Sequence, residues 1–244
     1  MMARELTVGS RLPAECAARR RLVLSAAALC AGCASRIERP AEPLSEWRAM
    51  PLPGKPETVY TRCEYEGRPA WHAQSHAAAS VWRRRADMAV TPATQVEFSW
   101  WVANTIAGAD LSRAEVADSP VRVGFAFDGD LSRLSMRNRM QFQLVETLTG
   151  EAPPFAMLMY VWDNHAAIES VMHSTRSDRL RKVVLECGDA HVRQWRDYRR
   201  NLFDDFERAF GESPGRLTAV ALMTDTDNTR GTTEAWYGDV ILRA

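Results

Sequence analysis

Residues 121–127 read "VRVGFAF", and the way their side chains alternate decides what kind of fold the chain can build. Successive side chains of a strand point to opposite faces, so Val121, Val123, Phe125 and Phe127 share one apolar face. Similar short runs rich in Val, Phe, Trp, Tyr and Ile recur along the chain: "TQVEFSWWVAN" (94–104), "FAMLMYVWD" (155–163), "RKVVLECGD" (181–189), "RLTAVALMTD" (216–225) and "AWYGDVILRA" (235–244). Turn residues bound most of them, and Gly67-Arg68-Pro69 marks a hairpin. Many short strands with irregular connections predict an all-β fold, a β-sandwich or jelly roll, and not a βαβ array. One or two helices are expected to dock on it. Residues 131–150 close on Gly150, a natural C-cap. In 195–211, Trp195, Tyr198, Leu202, Phe206 and Phe210 recur at spacings of three or four before Gly211.

The N-terminal part has a different character. Arg19, Arg20 and Arg21 precede an apolar run from Leu22 to Ala31, followed by small residues and Cys33. A basic region, a short apolar stretch and a small-residue exit describe an export signal, too short to span a bilayer as a helix. Leu29-Cys30-Ala31-Gly32-Cys33 is similar to a lipobox, with Cys33 as the lipidated residue, although Cys30 stands at an unusual place. The arginines followed by Leu22, Val23 and Leu24 also resemble a twin-arginine signal. The expected organisation is an export signal over 1–33, a Pro-rich polar tether over 34–56 and one sandwich domain over 57–244. The expected location is the periplasm or cell envelope, with the membrane reached through a lipid anchor at Cys33. Cys63 and Cys187 fall in the domain, where an oxidising compartment would allow them to pair and two free thiols are the alternative.

Net charge narrows the partners. The whole chain is neutral, but residues 1–32 hold five Arg and two Glu, leaving the remainder at −3. A mildly acidic body argues against nucleic acid as the main partner. The chain also lacks a P-loop and a dinucleotide-binding glycine pattern.

Candidate site residues concentrate in "LMTDTDNTRGTTEAWYGDV" (222–240). Asp225 and Asp227 are two apart and share a face if the strand persists; Asp239 sits on the returning strand and could join them. Three carboxylates there could chelate a hard cation such as calcium. Two on one strand could instead hydrolyse a glycoside. Asp, Asn, Thr and Gly together also simply make Asx turns. No other cofactor is implied and no catalytic residue is assigned, so the balance leans away from an enzyme. His72 and His76 have a zinc-ligand spacing only on a helix; on a strand they are about 13 Å apart. Among eight Trp, Trp100 and Trp101 are adjacent on a strand. One must face outward unless both faces are covered, and an outward indole would suit a sugar ring.

"LPGKPETVY" (52–60), "FSWWV" (98–102), "MYVWD" (159–163), "RRNLFDDFERAFG" (199–211), "MTDTDNT" (223–229) and "YGDV" (237–240) resemble the bacterial domain-of-unknown-function family numbered 3047. The resemblance implies an exported or lipid-anchored protein with a jelly-roll-like fold, similar in outline to carbohydrate-binding modules, and no established activity. Arg199 departs from the pattern, in which an acidic residue precedes the Arg-Asn pair. A ligand-binding module for a glycan or envelope polymer is the expected function. A glycoside-active hydrolase using Asp225 and Asp227 and a protein-binding scaffold are the alternatives.

Overall fold

The computed structural model describes residues 46–174 and 177–244. Among them, thirteen strands form two sheets. The strands are β1 (Trp47–Pro51), β2 (Val59–Tyr65), β3 (Arg68–His76), β4 (Ser80–Met88), β5 (Gln95–Val102), β6 (Ser119–Phe127), β7 (Ala156–Asp163), β8 (Val171–His173), β9 (Leu180–Cys187), β10 (Arg196–Asn201), β11 (Leu217–Asp225), β12 (Thr232–Tyr237) and β13 (Ile241–Arg243). A seven-stranded sheet runs β1-β4-β11-β6-β7-β9-β8; the other runs β10-β5-β12-β3-β2, with β13 also on β5. Every pairing is antiparallel except β7 with β9. The all-β sandwich with two helices expected from the alternating runs is the fold that forms.

The core between the sheets follows the period of two. Val121, Val123, Phe125 and Phe127 of β6 face Val96, Phe98, Trp100 and Val102 of β5, and all are buried. Phe98 bridges the layers by stacking on Tyr160 of β7 at 5.3 Å. β6 is central in its sheet and all nine of its residues are buried.

Two boundaries move. Residues 47–51, assigned to the tether, form β1 and pair with Ser80–Arg84. The helix expected from 195 starts only at Leu202, because 196–201 form β10 against β5. Arg196, Tyr198 and Arg200 lean inward there and Asp197 and Arg199 outward. The three-or-four spacing thus joined an inward strand residue, Tyr198, to the inward helix residues Leu202, Phe206 and Phe210, and one apolar stripe crossed two elements. The helix α2 (Leu202–Phe210) is capped by Asn201, which accepts from the N–H groups of Phe203 and Asp204, and ends on left-handed Gly211. The helix α1 (Met136–Thr149) crosses from β6 to β7, capped by Ser135 and by Gly150, whose φ of 72° suits glycine. Cys63 and Cys187 are both free and half-buried.

Candidate functional site

The two Trp of "SWW" part ways at once. Trp100 points inward, is fully buried and packs on Phe98 and Tyr198, so it presents no face to a ligand, contrary to the expectation for it. Trp101 points to the outer face of the six-stranded sheet, where the register gathers other rings. His72 on β3 stands opposite Trp236 on β12, and Trp236 opposite Trp101 on β5. Arg196 pairs with Trp100, so Trp195, one residue earlier, extends the row beside Trp101. His-Trp-Trp-Trp therefore crosses four chain segments in one line.

The rings interlock. Trp236 stacks on His72 at 4.3 Å and on Tyr65 of β2 at 4.0 Å, with interplanar angles of 6° and 16°. Trp101 meets both Trp236 and Tyr65 edge-on, at 4.9 and 5.0 Å. Trp101 and Trp236 are consequently 6% and 9% exposed, while Tyr65, His72 and Trp195 stay half-open. The outward Trp101 is thus the foundation of an aromatic patch and not its surface. His72 is fixed by Glu234, its Nε2 at 2.7 Å from the carboxylate, and His76 by Thr232. The two histidines make separate contacts along β3 and share none.

Beside the rings lies a cleft of about 490 Å³. Its floor includes Ser99 and Gly238, where the backbone N–H of Gly238 donates to the carbonyl of Ser99. A Cβ at Gly238 would lie 2.2 Å from the Ser99 hydroxyl, so a larger residue there would have to turn that hydroxyl aside. Its walls carry the ion pair of Arg68 with Asp197 at 2.6 Å and the carboxylate of Glu97, which is paired from outside the cleft by Arg243 at 3.1 Å. Arg68 also lies 5.0 Å from the Trp195 ring centre, tying cleft to aromatic row. The hydrogen bond from Arg243 holds the Glu97 carboxyl below the usual range, so it accepts at neutral pH. Arg199 sits 3.8 Å from Glu97. The arrangement offers ring faces for C–H groups and planar carboxylates and guanidinium groups for paired hydroxyls.

The acidic loop resolves differently. Asp239 lies at the cleft, 3.0 Å from Arg62 and more than half exposed, so the set Asp225, Asp227 and Asp239 does not assemble. Asp118 takes the third place: its carboxylate oxygens and those of Asp225 and Asp227 approach within 4.8 Å of one another. Each is already matched by the protein. Asp225 accepts from Arg122 at 2.7 Å and from the Ser119 N–H at 3.0 Å. Asp118 accepts from the N–H groups of Asn228 and Thr229 and from the Thr229 hydroxyl. Asp227 pairs with Lys55. Burial pushes Asp225 up to about 6 against the pull of Arg122, with Asp118 and Asp227 adding to the rise. Beneath the loop, Thr58, Ser75, Thr224 and Thr226 are buried and bonded together, locking β11 to the edge of β3. Cys33 lies outside the described residues.

Sequence reasoning missed Tyr65, Arg68, Trp195, Asp197 and Trp236 as one surface, and Asp118 in the acidic loop. Single residues such as Trp236 were visible; the register that aligns them was not.

No curated protein matches the chain. Among solved structures it is similar to the family 12 xyloglucanase from Bacillus licheniformis, at 8% identity and TM-score 0.40 over 82% of this chain and 100% of that one. It is similar to the family GH12 endoglucanase 3 of Trichoderma harzianum, at 6% identity and TM-score 0.41 over 83% and 99%. A winged bean acidic lectin, at 11% identity, gives a TM-score of 0.32 over 82% and 100%. These are likenesses of outline. The family model described as Protein of unknown function (DUF3047) matches residues 45–241, and the chain belongs to that family.

Proposed function

We propose that the domain is a non-catalytic binding module for a glycan or cell-envelope polymer, held on the outer face of the six-stranded sheet. The observation that carries this reading is the single cross-strand row His72–Trp236–Trp101–Trp195 bordering the cleft of Arg68, Asp197, Glu97 and Asp239. Sugar rings would lie on the half-open faces of Tyr65, His72 and Trp195, and their hydroxyls would meet the charged walls. Trp101 and Trp236 support those faces from beneath.

Hydrolysis by Asp225 and Asp227 has less support. Asp225 is 3% exposed and tied to Arg122, and Asp227 is paired with Lys55, so neither carboxylate is free to approach a glycosidic oxygen. For the same reason we read the acidic loop as an internal charge network and not as a calcium site. The export signal and the anchor at Cys33 expected from residues 19–33 would bring the module to the envelope, where such polymers occur.

The test is affinity electrophoresis through gels containing a neutral β-glucan, a polyuronate or soluble peptidoglycan. Retardation of the wild type in at least one gel, lost in Trp195→Ala with its circular dichroism unchanged, supports the reading. Equal mobility of the two proteins in all three gels would sink it.

A further inference from the structure

We propose that α1 is an interfacial element that lies on the surface of a bilayer carrying anionic headgroups. The helix has two unlike faces. Met136, Met140, Leu144 and Leu148 recur every four residues and are 76, 65, 58 and 65% exposed. The side turned to the protein is more polar: Asn138 is buried and bonded to Asp178, with Gln141 and Phe142 half-buried beside it. An ordinary surface helix has the opposite order, with its apolar stripe on the core. Contiguous exposed apolar side chains of this kind mark a surface that meets a partner.

Beside α1 runs an open groove of about 390 Å³, lined largely by Phe142, Leu144, Val145, Pro154, Met157 and Leu180, which extends the apolar surface of the stripe from Leu144.

Charge selects the partner. Two exposed arginines, Arg137 and Arg139, stand on the first turns of α1, and its one acid, Glu146, lies near the other end; Arg133 just before the helix is paired with Glu212. The first turn of α1 holds no acidic residue, although the helix dipole favours acids there. Arginines flanking a Met and Leu stripe complement anionic headgroups above an apolar interior, while their aliphatic stems stay in the interface. Fourteen residues make a rod of about 21 Å, and no described helix is long and apolar enough to cross a membrane. The helix would therefore lie in the plane of the surface.

Hydrogen exchange on the full-length chain provides the test, because it reads α1 separately from the N-terminal residues. Exchange is followed alone, with phosphatidylcholine vesicles, and with vesicles that also contain phosphatidylglycerol. The expected result is a roughly tenfold slowing across 136–149 with the acidic vesicles only. Met140→Glu with Leu144→Glu should abolish it, and Arg137→Glu should weaken vesicle binding about fivefold. Arg137, Met140 and Leu144 are all exposed, so the variants should keep the wild-type circular dichroism. Unchanged exchange over 136–149 in the presence of acidic vesicles would overturn the proposal. Protection that grows with protein concentration without vesicles would overturn it in favour of a second copy of the chain.

Discussion

The acidic loop and the aromatic cleft both gather carboxylates and cations, yet they use them in opposite ways. At Asp118 and Asp225 the partners are backbone N–H groups, the Thr229 hydroxyl and the buried Arg122, and the charges answer one another inside the protein. At the cleft, Arg68–Asp197 and Arg243–Glu97 are exposed pairs beside half-open rings. An exposed ion pair contributes at most about 1 kcal/mol and exchanges readily with water or a ligand hydroxyl. Removing one member of a buried pair leaves an uncompensated charge and costs about 3–5 kcal/mol. The first arrangement fixes a fold; the second leaves its charges open to solvent.

That contrast can be broken by experiment, beginning where the largest effect is expected. Asp225→Ala strands the Arg122 guanidinium and the Ser119 N–H, so unfolding in urea should show a loss of about 3–5 kcal/mol with glycan retardation unchanged in the folded fraction. If the variant is as stable as the wild type, the loop is not a structural network.

Next comes pH. Asp225 titrates at about 6 in the folded protein, above its ordinary range, because burial disfavours the ionised form. The folded state therefore binds the proton more tightly than the unfolded state. The contribution of Asp225 is fully present below pH ~4 and is lost as pH rises through ~6, a difference on the order of 3 kcal/mol. The stability difference between wild type and Asp225→Asn, measured from pH 4 to 7, should shift against the wild type by that amount. Asp225→Asn should also cost less than Asp225→Ala, because the amide keeps some hydrogen bonding without the buried charge. A flat difference would show that burial does not control this carboxyl.

Trp195→Ala should cost no more than about 1–2 kcal/mol, since the ring is only half-buried, and should abolish glycan retardation. If stability falls by much more and binding persists, the aromatic row is a mini-core. Asp197→Asn should change stability by less than about 1 kcal/mol and weaken binding severalfold. Calcium should have the smallest effect. With Asp225 and Asp227 already paired to Arg122 and Lys55, and Asp118 held by N–H groups and the Thr229 hydroxyl, calcium and a chelator should leave the melting temperature unchanged. A rise with calcium that is lost in Asp227→Asn would restore the cation reading of the loop.

How much of this was legible in the chain depends on the range of the signal. Alternation in "VRVGFAF" and "FSWWV" revealed strands and their inward faces, because period two is local. Gly150 and Gly211 revealed helix ends for the same reason. The stripe Tyr198–Leu202–Phe206–Phe210 misled, since an inward strand residue followed by a helix can mimic a helical period. Asp239 was placed with Asp225 by closeness in sequence. In the fold, β11 and β12 belong to different sheets, and the pair separates.

The sequence by itself determined the all-β class, the identity of the buried faces and the chemistry available at the surface, all set by side-chain type and spacing of a few residues. Tertiary structure alone decided that Trp236, Trp101 and Trp195 stand in one row, that Asp118 and not Asp239 completes the acidic loop, and that α1 turns its apolar stripe outward. Strand register and sheet order bring residues more than a hundred positions apart into contact, and no local pattern encodes those pairings.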